Sequence, residues 1–300
     1  EMIKRKDKVG IAISLSNIGH FYQSTGDLDK AIKYFEKSLI IQKESNDMRG
    51  MAISYDNLGA IAYNEGEFKK AESYFSQGLD INEKLNDISG LSTSLVNLAA
   101  IYKKQNESIK AIECCERCLD INSKTNNYSA IANAYNTLGG IHNEGGNVIK
   151  AIECFENSLL LMEKMGDLES QALSYNNLAS IYNDQGQMNE AEKYFEKSLS
   201  IFNQTGDQFG AAVVLNNIGL MYYKNGKINE SGEIFKKSLE LRRKVKDTNG
   251  EAVTLGNLSL YYLSIDSLDH AEELNTQSEK IYSYIGDSKG VANANIQKSQ

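Results

Sequence analysis

An all-α protein, built as a solenoid of about seven stacked helical hairpins plus a C-terminal half-unit, is the fold class these 300 residues predict. Three observations carry it. The chain repeats itself at a period of 40 residues without insertion or deletion. Within each period, apolar residues recur at spacings of three and four in two separate stripes, the pattern of two amphipathic helices. Proline is absent from every position, where ordinary usage is about 5%, as suits helices joined by other turn residues. A lone hairpin cannot bury both stripes, so neighbouring hairpins stack to cover them.

The units follow in order. The first, 8–47, carries "SLSNIGHFYQSTG" from Ser14 in its first helix, and the second, 48–87, carries "SYDNLGAIAYNEG" from Ser54. Then come "SLVNLAAIYKKQN" from Ser94 in 88–127 and "AYNTLGGIHNEGG" from Ala134 in 128–167. The last three are "SYNNLASIYNDQG" from Ser174 in 168–207, "VLNNIGLMYYKNG" from Val214 in 208–247 and "TLGNLSLYYLSID" from Thr254 in 248–287. Second helices share one register of Ala31, Ala71, Ala111, Ala151, Ala191 and Ala271, with Ser231 in the sixth, and another of Phe35, Phe75, Phe155, Phe195 and Phe235. Within a hairpin, "NEGE" reads as the turn. Between hairpins, "NDMRG", "NDISG", "GDLES", "GDQFG", "KDTNG" and "GDSKG" place an Asp where it accepts hydrogen bonds from the free N–H groups of the next helix. The opening "EMIKRKDKVG" aligns with the last turn of a second helix plus this turn. Glu1 is therefore expected inside an earlier unit, with Met2 and Ile3 covering the apolar edge of the first hairpin only partly, so the chain reads as a fragment of a longer protein. "DSKGVANANIQKSQ" begins an eighth unit, 288–300, in which Lys298 replaces the usual Ile or Leu, as in a polar cap or the start of a degenerate linker.

The order Tyr55, Leu58, Gly59, Ala62, Ala71, Phe75, Gly78 resembles the tetratricopeptide pattern of large aromatic, Leu, Gly, aromatic, Ala, aromatic and small residue, and it recurs seven times. The resemblance implies a right-handed superhelix that binds protein or peptide rather than an enzyme. Two features depart from the family: the period is 40 rather than the usual 34, and the late proline is missing. A second helix longer by about a turn and a half explains both, since proline there would fall inside a helix and break it. The 40-residue form is similar to repeats of cell-polarity adaptors, kinesin light chains and bacterial signalling proteins.

A net charge of −8 and a pI near 5.1 oppose phosphate-backbone binding, which needs clustered Lys and Arg, so nucleic acid is excluded as a partner. No apolar run approaches the roughly 18 residues of a membrane span, and membrane insertion is not expected. His20, His142 and His270 lie three units apart, too far to share a metal or a triad, and His142 replaces the aromatic of Tyr22, Tyr102 and Tyr182 as a core-facing ring. "CCERC" holds Cys114, Cys115 and Cys118, with Cys154 one unit on in the register of Cys114. All four fall in registers of Tyr, Phe or small residues, mid-helix, where cysteine acts as a small buried apolar side chain rather than a zinc ligand or redox group. Reduced thiols favour the cytoplasm. The basic run "LRRKVK", Leu241 to Lys246, reads as a solvated helix end that suits the dipole. No catalytic residue, cofactor or metal site is expected.

Asparagine carries the functional signal. Asn17, Asn57, Asn97, Asn177, Asn217 and Asn257 share one register, and the fourth unit has Asn136 beside Thr137. Six mid-helix asparagines cost roughly 4 kcal/mol of helix propensity, so something compensates. In the family the first helices line the concave groove, and the resemblance puts the registers of Ile53, Asp56, Asn57, Ala60 and Tyr63 on its border. Those registers add Asn133, Asn136, Asn143, Asn176, Asn183 and Asn216, together with Tyr223. The expected binding groove is thus Asn57, Asn97, Asn136, Asn176, Asn177, Asn216, Asn217, Asn257, Tyr63 and Tyr223, with amides that pair with the main chain of an extended peptide or face a partner helix. The alternative is that each Asn bonds a neighbouring helix and fixes stacking register. The family's carboxylate-clamping Lys and Arg are missing from these registers, which disfavours a co-chaperone role. Two functions follow: a non-enzymatic peptide-binding scaffold, or the sensory segment of a larger bacterial signalling protein with a cyclase, histidine-kinase or DNA-binding output domain.

Overall fold

The computed structural model describes residues 2–123, 125 and 127–298, with the side chains of 2–6 and 296–298 left aside, so the expectations for Glu1, Met2, Ile3 and Lys298 lie outside the described residues. Among the described residues the chain is fifteen helices with no strand. It divides into two compact units, Glu1–Leu161 and Met162–Gln300.

The first unit holds α1 (Met2–Ser24), α2 (Leu28–Ser45), α3 (Met48–Asn64), α4 (Phe68–Leu85), α5 (Ile88–Lys104), α6 (Ser108–Asn122), α7 (Tyr128–Glu144) and most of α8 (Val148–Met165). The second holds the end of α8, then α9 (Leu168–Asp184), α10 (Met188–Thr205), α11 (Gln208–Lys224), α12 (Ile228–Lys244), α13 (Thr248–Ser264), α14 (Leu268–Ile285) and α15 (Ser288–Lys298). Odd helices are the first members of the hairpins and even ones the second, as the 40-residue period predicts.

Each boundary has a residue-level cause. Inside the hairpins the chain turns through a left-handed residue, Gly66 at φ 77° in the second, where glycine has no Cβ to clash. Between hairpins Asn46 and Asn86 take the same conformation at φ 50°. Asp47, Asp87, Asp167, Asp207 and Asp247 then accept from the N–H of the third residue on, at 2.9–3.1 Å, and Asn127 does so for α7. Each such cap is worth about 1 kcal/mol.

A hairpin closes on its glycine and phenylalanine. A Cβ on Gly59 would come within 2.9 Å of the Phe75 ring, and one on Gly19 within 2.8 Å of Phe35. The ring takes the space that a Cβ would need, and the two helices meet closely there. The next slot along the second helix, expected to be merely small, is a hydrogen-bonding one: Ser38, Ser198, Ser238 and Ser278 donate to the carbonyls of Ala12, Ala172, Ala212 and Ala252 at 2.7–2.9 Å. Ser158 does the same to Ala132 in the fourth hairpin.

The N-terminus differs from its sequence reading. α1 runs unbroken through Asp7, so the turn expected there is absent. Lys6 shares its slot with Lys246, which does turn, at φ 58°, so this position alone does not set the break. Arg5 before it is a good helix former where the sixth hairpin has the β-branched Val245.

Candidate functional site

In the second unit, amides from successive first helices are wired together. Asn217 on α11 donates from Nδ2 to Oδ1 of Asn176 on α9 at 2.9 Å. Asn257 on α13 donates in the same way to Asn216 on α11, also at 2.9 Å, and Thr254 adds its hydroxyl at 3.3 Å. The acceptors are buried, Asn176 at 9% and Asn216 at 5% exposure, whereas Asn177, Asn217 and Asn257 are half-buried. Each bridge joins residues 41 apart, one period plus one position. Lys224 on α11 pairs with Asp184 on α9 at 3.0 Å, and Tyr223 shares a hydrogen with Ser264 across 3.0 Å.

In the first unit Asn57, Asn97 and Asn136 are half-buried. Asn57 approaches Nε2 of His20 on α1 at 3.4 Å, and Tyr63 lies edge-on to Phe68 at 5.7 Å. Asp56 occupies the register of Asn136, Asn176 and Asn216. Its Oδ1 is buried without a partner, and burial pushes its carboxyl up to about 7, against an opposing pull from Ser94.

Beside the amides runs a row of exposed aliphatics. Ile13 and Ile53 (56% exposed) belong to the first unit, Leu173 (47%) and Val253 to the second. Thr93 and Asn133 break the row in the third and fourth hairpins. There α5 and α7 enclose a polar cavity of about 200 Å³.

The chemistry-bearing residues elsewhere are structural. His270 stacks on Tyr262 with centroids 5.1 Å apart and meets the Ser267 hydroxyl at 2.9 Å. His142 is half-buried, which lowers its pKa. Cys115 and Cys118 are fully buried as expected, but Cys114 and Cys154 are only half-buried, because their register is that of Tyr34 and Tyr74, whose rings reach the surface. Desolvation raises all four thiols, Cys114 to about 11, which makes them poor nucleophiles and metal ligands. Among the described residues no group of three or more His, Cys, Asp or Glu side chains is placed to hold a metal. No helix among them is long and apolar enough to cross a membrane.

The basic run hides a feature that sequence reasoning missed. Arg242 is buried rather than solvated and pairs with Asp247, the cap of α13. Its register is that of Gln42, Asn82 and Asn122, which bond Ser54, Ser94 and Ser92 of neighbouring first helices. The available signal was the glycine opposite: Gly50, Gly90 and Gly250 leave room for Gln42, Asn82 and Arg242.

Comparison with known proteins fits this geometry. The sequence profile described as tetratricopeptide repeat matches residues 10–84, 90–164, 130–204 and 210–283. No curated protein sequence matches the chain. Among solved structures, RapI shares 16% identity over 92% of this chain and 99% of its own, with a TM-score of 0.73. Aspartyl phosphate phosphatase F from Bacillus subtilis shares 14% identity over 93% of this chain and 72% of its own, with a TM-score of 0.74. A signal transduction ATPase with numerous domains and a tetratricopeptide repeat sensor, from Pyrococcus horikoshii, shares 16% identity over 98% of this chain and 48% of its own, with a TM-score of 0.69. At these identities the likeness is one of fold.

Proposed function

The chain belongs to the tetratricopeptide repeat family, and from that premise we propose that it is a non-enzymatic scaffold whose first helices hold an extended segment, or a partner helix, of another protein. The observation that carries the reading is the half-used state of the amides. Asn217 and Asn257 each give one N–H to a neighbour, and a carboxamide has a second N–H and an acceptor oxygen to offer. The bridge that fixes stacking register also fixes the rotamer, so a peptide main chain meets amides already ordered, and binding loses little side-chain entropy. Exposed Leu173 and Val253 alongside supply apolar contact. Four cysteines without disulfides suit a reducing compartment such as the cytoplasm.

Asn217→Ala tests this. A partner recovered by pull-down is expected to bind about tenfold more weakly, because peptide groups in the groove lose a hydrogen bond worth roughly 1.4 kcal/mol. The melting temperature falls slightly as well, since Asn176 Oδ1 loses its donor. A lowered melting temperature with unchanged affinity would leave Asn217 to register alone and sink the reading.

A second reading draws on the likeness to the Pyrococcus sensor protein: the repeats form the sensory segment of a larger signalling protein. Sequencing the gene through and beyond the codon for Gln300 tests it, and an uninterrupted stop codon with no output domain on either side of the repeats refutes it.

A further inference from the structure

The aliphatic row breaks off where Thr93 and Asn133 replace the residues matching Ile13 and Ile53. Ser89, Thr93, Val96, Asn97, Ser129 and Asn133 line the cavity of about 200 Å³ at that point. This is below the roughly 300–1,000 Å³ of pockets for drug-sized ligands and suits one side chain. No charged residue lines it among the described residues.

Part of the lining is already committed. Ser92 donates to the Ile88 carbonyl and accepts from Asn122, both at 2.7 Å. Thr93 donates to the Ser89 carbonyl at 3.2 Å, and Asn127 Oδ1 accepts from the Ala130 N–H at 3.3 Å. The carboxamides of Asn97 and Asn133, with the hydroxyls of Ser89 and Ser129, remain for an occupant.

We propose that this cavity is the specificity pocket of the groove and receives the carboxamide of an asparagine or glutamine in the bound segment. The inference rests on the peptide-binding reading above. A charged group would lose water here without a counter-charge. An aliphatic group would leave two amides facing it unpaired. A carboxamide brings two donors and an acceptor to surfaces that hold both kinds. The position also sets a spacing. Ile53 lies one hairpin away, about 8–10 Å by helix packing, which an extended strand crosses in about three residues at roughly 3.3 Å each. The recognised segment therefore carries an aliphatic residue about three positions from its Asn or Gln.

The experiment pans a displayed library of random peptides against the intact chain. Enriched peptides are expected to hold Asn or Gln at one fixed position, and changing it to Glu or Leu weakens binding about tenfold, the equivalent of roughly 1.4 kcal/mol. Asn133→Leu, at an exposed position, is expected to reverse the preference so that the Leu peptide binds better than the Gln peptide, and Thr93→Val to move it the same way. Neither reversal arises from a merely structural role. Enriched peptides without a fixed amide, or a preference that neither variant moves, overturn the pocket and leave the groove standing. A library that yields no binder to the wild-type chain overturns both.

Discussion

Asp56 stands where three other hairpins have Asn136, Asn176 and Asn216, and in the second unit the asparagines of this register accept from the next first helix. A carboxylate there is half-buried with Oδ1 unpaired, so burial favours its protonated form and raises its pKa to about 7 from 3.8. The sign of the linkage follows. Below about pH 4 the group is protonated in both folded and unfolded chains and costs nothing. Between 4 and 7 the unfolded chain gives up its proton first, so stability falls as pH rises, then levels off above 7. Asn cannot ionise. Asp56→Asn is therefore expected to match wild type near pH 4 and to be more stable at pH 8, by on the order of 2 kcal/mol after allowing for partial exposure. Thermal melts at the two pH values check this, and an equal gain at both would mean that packing, not ionisation, is responsible.

The hairpin is the element on which this fold is built, and its tightest contact is most often glycine against phenylalanine. Gly59 faces Phe75 and Gly139 faces Phe155, whereas the third hairpin has the larger Ala99 with the smaller Cys115 in the same registers. The fifth keeps Phe195 against Ala179, and the seventh departs furthest. Ser259 and Asn275 fill both registers, both are buried, and Ser259 Oγ and Asn275 Oδ1 have no hydrogen-bond partner. Restoring the pattern with Ser259→Gly and Asn275→Phe removes two stranded polar groups, at about 1–3 kcal/mol each, and buries a ring worth about 1.5–3 kcal/mol. The double variant is expected to be at least about 2 kcal/mol more stable in urea titrations, and a loss of stability would show that the site has no room for the ring. Helices, turns and Asp caps were legible in the sequence because each is written locally: apolar spacing of three and four, a left-handed turn residue, an Asp three residues before the N–H it caps. The amide column was legible as a column. Its pairing was not, since Asn176 meets Asn217 across 41 positions, and only the packed helices reveal which residues of adjacent repeats face each other. Arg242 stayed hidden for a similar reason, because a basic run at a helix end looks solvated until Asp247 and Gly250 fold over it.

At the scale of the molecule, stability is carried by nearest neighbours. From α1 to α7 in the first unit and from α9 to α15 in the second, each helix packs on the next along the chain and each first helix on the first helix of the following hairpin, so stability within a unit is a sum of hairpin and interface contributions rather than the property of one core. The surface ion pairs add little to that sum, because they join exposed side chains, as Lys224 and Asp184 do. Within Met162–Gln300 the contributions are uneven. α9 to α12 share a cluster built on fully buried Phe195, Phe202 and Met221, and Phe235 closes the sixth hairpin. α13 and α14 replace the phenylalanine with Asn275, and Tyr284 at the end of α14 is 86% exposed. A chain of coupled units opens first where intrinsic and interface terms are weakest. Hydrogen exchange followed by mass spectrometry in native buffer is therefore expected to show α13 to α15 exchanging ahead of α9 to α12, through openings of lower free energy. Ser259→Gly with Asn275→Phe should delay α13 and α14 while leaving α9 and α10 unchanged. Equal protection from α9 to α15, or a delay spread evenly over all of them, would mean that this half of the chain opens as one cooperative body and that the nearest-neighbour account fails.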